Sequence, residues 1–106
     1  KPILSYGVMG GQYQPVGHCH VLQNIFDFGL SIQESIDLPR AFILENNYKF
    51  EKSIPENILR DLSKIGHNIS YTENTHGGGQ AIFIDRNNGV LIGGSDPRKD
   101  GCAIGY

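Results

Sequence analysis

The run Ile3-Leu4-Ser5-Tyr6-Gly7-Val8 leads into two adjacent glycines, Gly10 and Gly11, and Pro15 follows closely. This order constrains the fold more than any other feature of the chain. Residues 2–9 read as a buried strand. The glycines permit backbone angles that a Cβ forbids, so the strand breaks there. Pro15 suits the first turn of a helix. His18, Val21, Leu22, Ile25 and Phe26 recur at spacings of three and four, which predicts a helix packed along that face and closed by Gly29.

The punctuation continues downstream. Ser31-Ile32-Gln33-Glu34 is a capping box that starts a second helix, kept short because Pro39 pushes Leu38 out of the helical region. Alternation over Arg40–Lys52 predicts two short strands turning at Asn46-Asn47. Pro55 opens a third helix, with Ile58, Leu59, Leu62 and Ile65 as its apolar stripe and Gly66 at its end. Asn68 to Thr72 reads as a strand and His76-Gly77-Gly78-Gly79 as a flexible connection. Ala81–Ile84 and Val90–Ile92 form a hairpin about Asn87-Asn88-Gly89. A sheet with helices on one face accounts for this order, an α/β or α+β class.

The chain has 106 residues, one small domain's worth, 39% hydrophobic and 19% charged, which is globular rather than disordered. Its net charge of −2 and scattered Lys and Arg argue against a nucleic-acid partner. No apolar run approaches ~18 residues, so no membrane-spanning helix is expected. The start at Lys1, already within a strand-like run, reads as a piece of something larger. Cys19 and Cys102 read as reduced, buried or half-buried thiols.

Several segments invite chemistry. Gly10-Gly11, at a strand end before a helix, offers free N–H groups beside a positive dipole end: either an anion or oxyanion site, or a plain tight turn. His18 and His20, two apart on a helix, point about 200° away from each other and cannot chelate one ion. His18 is expected on the packed face and His20 toward solvent or another chain. His67, His76 and Cys102 add no zinc spacing, so no metal and no cofactor is expected. His76–Gln80 lacks the Lys-Ser/Thr of a phosphate loop and reads as a mobile loop. Asp96-Pro97-Arg98 is a polar turn in which Arg98 pairs with Asp96, Asp100 or a more distant carboxylate. No residue here is a supported nucleophile.

Taken together, three stretches resemble the γ-glutamyltransferase (γ-glutamyltranspeptidase) family. They are Gly7-Val8-Met9-Gly10-Gly11-Gln12-Tyr13-Gln14-Pro15 with its helix to Gly29, Gln33-Glu34-Ser35-Ile36-Asp37-Leu38-Pro39-Arg40, and Gly93-Gly94-Ser95-Asp96-Pro97-Arg98 closing on Gly105-Tyr106. Gly78-Gly79-Gln80-Ala81-Ile82 fits between them. Each motif alone is weak; the ordered set covers essentially the whole chain.

The resemblance implies an N-terminal-nucleophile hydrolase with an αββα sandwich, made as a precursor that cleaves itself into a large and a small subunit. The new N-terminal Thr attacks a γ-glutamyl amide with its own α-amine as base. Residues 1–106 would be the C-terminal part of the small subunit. Gly10 and Gly11 would be the oxyanion pair, with the nucleophile and substrate-carboxylate ligands preceding Lys1. The expected partners are the large subunit, the rest of the small subunit, and a small γ-glutamyl (glutathione-type) or other amide substrate. Val8-Met9 stand where well-studied members have Thr-Pro or Ser-Pro, and Gln12-Tyr13 where they have Ser-Arg. That departure is similar to acylases and oxamate amidohydrolases of the family, which opens the substrate question. A non-catalytic domain that keeps the fold is the alternative from another class.

Overall fold

The computed structural model describes residues 1–106. It divides into two compact units, residues 1–38 with 77–106, and residues 39–76. The expected single sheet is therefore two three-stranded sheets, one in each unit.

In the first unit, β1 (Leu4–Met9) pairs antiparallel with β5 (Gly78–Asp85), which pairs antiparallel with β6 (Val90–Ser95). Two helices accompany this sheet, α1 (Gln14–Phe26) and α2 (Ile32–Asp37). The core gathers Ile32, Ile36 and Ala81, with Leu4, Tyr6, Ile25 and Phe83 packed against them. Fully burying a side chain such as Ile36 contributes about 1.5–3 kcal/mol. β1 is not the buried strand expected: its accessibility alternates and only Val8 is buried. It lies at the sheet edge with helices on one face, so alternate side chains stay open.

The buried line of α1 is Gly17, Val21 and Asn24 rather than the stripe ending at Phe26, which is 54% exposed. Asn24 is buried because its amide donates to the Ser35 carbonyl of α2, at 3.4 Å. The apolar spacing alone gave no sign of this polar bridge. α1 ends as expected, with Gly29 in the left-handed region at φ 70°.

The capping box at α2 is present in both directions. Ser31 Oγ accepts from the Glu34 N–H, and a Glu34 carboxylate oxygen accepts from the Ser31 N–H at 2.9 Å. The Ser31 hydroxyl, then its backbone N–H, hold the Glu34 carboxyl below its ordinary value. A lowered folded-state value means stability present above the usual Glu range and lost as pH falls through the lowered one. Replacing Ser31 by alanine should cost about 1 kcal/mol in urea unfolding at neutral pH. The gap between wild type and Glu34→Gln should narrow in acid; a pH-independent gap would show that the charge contributes nothing.

In the second unit, β2 (Ala41–Leu44) and β3 (Asn47–Phe50) form a hairpin, and α3 (Glu56–Lys64) crosses over to β4 (Ile69–Tyr71), parallel to β3. The turn residues are Glu45 and Asn46, both at positive φ, one position earlier than expected. That pair of angles matches the two-residue turn favoured by strand twist. Pro55 is the cap before α3 rather than its first residue, and only Leu59 of the expected stripe is buried. Glu51, itself buried, ties the ends of this unit together: its carboxylate accepts from the Arg40 N–H at 3.0 Å and from the His76 N–H at 2.9 Å.

The predicted flexible connection is corrected at its glycines. Gly78 and Gly79 are buried and belong to β5, opposite Met9 and Val8. Glycine is a poor strand former, so the pairing partners, not local preference, place them there. No helix is long and apolar enough to cross a membrane.

Candidate functional site

β1 delivers the chain to Gly10 and Gly11 at its end, and Gly11–Tyr13 form a single 3₁₀ turn running directly into α1. Gly10 has φ 137° and Gly11 φ 56°, angles that L side chains rarely adopt. The two glycines differ in what surrounds them. A Cβ on Gly10 would lie 2.9 Å from Gly77 Cα, so the space there is already taken. A Cβ on Gly11 would meet nothing within 4 Å, and Gly11 is exposed.

Neither glycine N–H has an acceptor within the chain, whereas the Gly10 carbonyl is taken by the Tyr13 N–H at 3.0 Å. The first N–H groups of a helical stretch have no intrahelical acceptor and sit at the positive end of its dipole. The arrangement therefore offers two donors with open space beside the second. Chemically, that can hold a carbonyl oxygen as negative charge develops on it.

Tyr13, one of the departures from the family pattern, is 3% exposed and fills the space behind Gly10. A Cβ on Gly17 would lie 2.6 Å from the Tyr13 ring, and one on Gly77 would lie 2.9 Å from it. Only the scarcity of side chains around an aromatic residue could have signalled this slot in the sequence.

An open cleft of about 500 Å³ lies along the end of β1, lined by residues including Val8, Met9, Gln14, His18, Gln80 and Lys99. Gly10 and Gly11 are not part of its lining. His18 is half-buried as expected of the packed face, and both its ring nitrogens are engaged. Nε2 accepts from the Val8 N–H at 3.3 Å, so the proton sits on Nδ1, which donates to the Gln14 carbonyl at 2.7 Å. This imidazole braces α1 against β1 and has no nitrogen left for a metal or a substrate proton. Tyr6 stacks tilted against it, ring centres 5.2 Å apart. Burial pushes the Tyr6 phenol above its ordinary value, and nearby Cys19 adds to the effect.

His20 is half-buried rather than solvent-facing, and Cys19 and Cys102 are free and exposed rather than buried. No group of three or more His, Cys, Asp or Glu residues converges as metal ligands. In the His76–Gln80 segment the Gly79 N–H donates to Asp96 Oδ2 at 2.7 Å and is not open to a phosphate.

Asp96 is fully buried, and Arg98 pairs with it, the first of the three partners considered, at 3.2 Å. The Arg98 guanidinium also donates to the carbonyls of Ile36 and Leu38 at 2.9 Å each, closing the C-terminal end of α2. The Gln33 side chain exchanges two hydrogen bonds with the Ser95 backbone, at 2.9 and 3.0 Å. Two of the three sequence stretches singled out above thus dock onto each other through α2 and the end of β6. Gly94 allows the approach, since a Cβ there would overlap Ile32 Cγ2.

The family profile described as gamma-glutamyltranspeptidase matches residues 1–106. The chain belongs to the gamma-glutamyltranspeptidase family. Among solved structures, it is 38% identical to cephalosporin acylase from Bacillus halodurans, with a TM-score of 0.90 over 100% of this chain and 21% of that one. The oxamate amidohydrolase proenzyme of Klebsiella pneumoniae is 30% identical over 98% of this chain and 21% of its own length. The glutathione hydrolase proenzyme of Bacillus subtilis is 27% identical over 99% of this chain and 18% of its own. The chain thus spans about a fifth of these relatives. At the level of the family, the gamma-glutamyltranspeptidase members it resembles are enzymes, with the mixed α/β fold of N-terminal-nucleophile hydrolases.

Proposed function

We propose that residues 1–106 form the C-terminal portion of the small-subunit catalytic domain of an amide-cleaving N-terminal-nucleophile enzyme. Gly10 and Gly11 supply its oxyanion N–H groups. The observation that carries this reading is the pair of adjacent N–H donors with no acceptor in the chain, beside open space at Gly11. An N-terminal Thr, from a part of the precursor other than these residues, attacks the amide carbonyl with its α-amine as base. The carbonyl oxygen becomes an anion against the two N–H groups. The amine leaves, and water or an amino acid then takes the acyl group. The large subunit and the rest of the small subunit complete the site, and the isolated 106 residues are inactive. The leading acyl donor is a γ-glutamyl amide of the glutathione type, on the strength of the family match over the whole chain.

A second reading, an acyl group other than γ-glutamyl, is favoured by the higher identity to a cephalosporin acylase than to a glutathione hydrolase.

The test is the complete protein, purified and weighed intact, then assayed on a γ-glutamyl anilide, an acylated cephalosporin and oxamate. Two masses summing to the precursor, with Thr at the smaller one's N-terminus, and release of the anilide are expected. Turnover of only the other two substrates would select the second reading. A single stable mass with no turnover would leave a non-catalytic relative.

A further inference from the structure

Two consecutive glycines are a poor platform for catalytic donors unless something outside them removes their freedom. Glycine visits positive and negative φ with similar ease, while stabilising a developing oxyanion depends on donors held in place before the reaction. The structure supplies that restraint from three directions, and all of them meet at Tyr13.

Its N–H closes the turn onto the Gly10 carbonyl at 3.0 Å. Its Cβ is 3.4 Å from the position a Cβ on Gly10 would take. Its ring occupies a slot that exists because Gly17 and Gly77 have no side chains. Gly77 in turn backs Gly10, whose missing Cβ would lie 2.9 Å from Gly77 Cα. Gly77 also has φ 63° and precedes the first residue of β5, which pairs with Met9 at the end of β1. The buried ring therefore lies against Gly17 in the first turn of α1 and against Gly77 just before β5, and Gly77 in turn backs Gly10 just after β1.

We propose that the Tyr13 ring is the positioning element that fixes the Gly10 and Gly11 N–H groups for catalysis. This rests on the reading of those groups as oxyanion donors. Tyr13 does not touch the reacting atoms; it acts through the backbone it holds. Filling the slot with a smaller or non-planar side chain would let the turn relax, and a misplacement of the order of 1 Å costs about 100-fold in rate.

The experiment uses the complete processed enzyme, with Tyr13→Phe and Tyr13→Leu, and a boronate that forms a tetrahedral adduct with the nucleophile as transition-state probe. Tyr13→Leu should lower kcat by about 10- to 100-fold with KM unchanged. It should weaken boronate binding by the same factor. Tyr13→Phe, which keeps the ring, should restore both. If Tyr13→Leu does not fold, Tyr13→Met, which refills the slot with a flexible chain, carries the same readouts.

A variant that loses thermal stability yet keeps kcat and boronate affinity would overturn the inference. So would a Tyr13→Phe enzyme as impaired as Tyr13→Leu, since the hydroxyl and not the ring would then matter. Full activity in Gly11→Val would instead remove the underlying reading of the donors. An inactive Gly11→Val beside a fully active Tyr13→Leu would defeat this inference alone.

Discussion

Gly11→Val in the complete processed enzyme is expected to lower kcat by about 100- to 1000-fold, the range seen when a single oxyanion donor is removed. The valine leaves the N–H in place but puts a branched side chain into the open space beside it, where no atom of the chain lies within 4 Å of a Cβ. An acyl group approaching that donor would meet the side chain first. Folding is affected less. The φ of 56° is strained for a residue with a Cβ, at about 1–2 kcal/mol. Gly11→Asn is the companion variant, because asparagine tolerates the left-handed region. It should fold nearly as well as wild type and still turn over slowly. Circular dichroism and thermal melting check the fold, and steady-state kinetics the rate. Wild-type kcat in a folded Gly11→Val enzyme would disprove the assignment. Gly10 is not the residue to test, since any side chain there collides with Gly77 and the loss would report packing.

Asp96→Ala is expected to be the most destabilising single change outside the apolar core, by about 3–5 kcal/mol. The carboxylate is fully buried and accepts from the Gly79 N–H at 2.7 Å, the Arg98 N–H at 3.0 Å and the Arg98 guanidinium at 3.2 Å. Alanine removes the acceptor of the Gly79 and Arg98 N–H groups and the counter-charge of a largely buried guanidinium, which keeps only its carbonyl partners at Ile36 and Leu38. The damage spreads along Arg98 to the end of α2 and along Gly79 to the start of β5. Against a typical total stability of about 5–15 kcal/mol, that is a large fraction. The midpoint of urea unfolding reads it directly. A midpoint unchanged from wild type would mean that the turn is held by packing rather than by this carboxylate. Asp96→Asn should fall between the two, because an amide oxygen still accepts from one or two of the donors.

Where sequence and structure differ, distant partners override local preference. Local preference makes Gly78 and Gly79 a flexible connection, because glycine disfavours strands, yet their partners Met9 and Val8 and the buried Asp96 make them the start of β5. Spacing alone puts Phe26 on the packed face of α1, whereas the buried line of that helix is Gly17, Val21 and Asn24. Asn24 earns its buried place through the Ser35 carbonyl, a partner on another helix. The slot around Tyr13 is marked in the sequence only by Gly17 and Gly77, and nothing local says that these two glycines face the same ring.

What the sequence determined by itself is local. The capping box at Ser31 and Glu34, the helix ends at Gly29 and Gly66, and the strand break at Gly10 and Gly11 follow from hydrogen bonds and backbone angles within a few residues. The ordered motifs also pointed to the family. Tertiary structure alone decided which glycines are required by contact, where Arg98 and Asp96 point, and what braces the glycine pair. Those depend on residues as far apart as Gln33 and Ser95, separated by 62 positions and joined by two hydrogen bonds. Close approach between such residues is set by how the elements pack, and no preference of either neighbourhood encodes it.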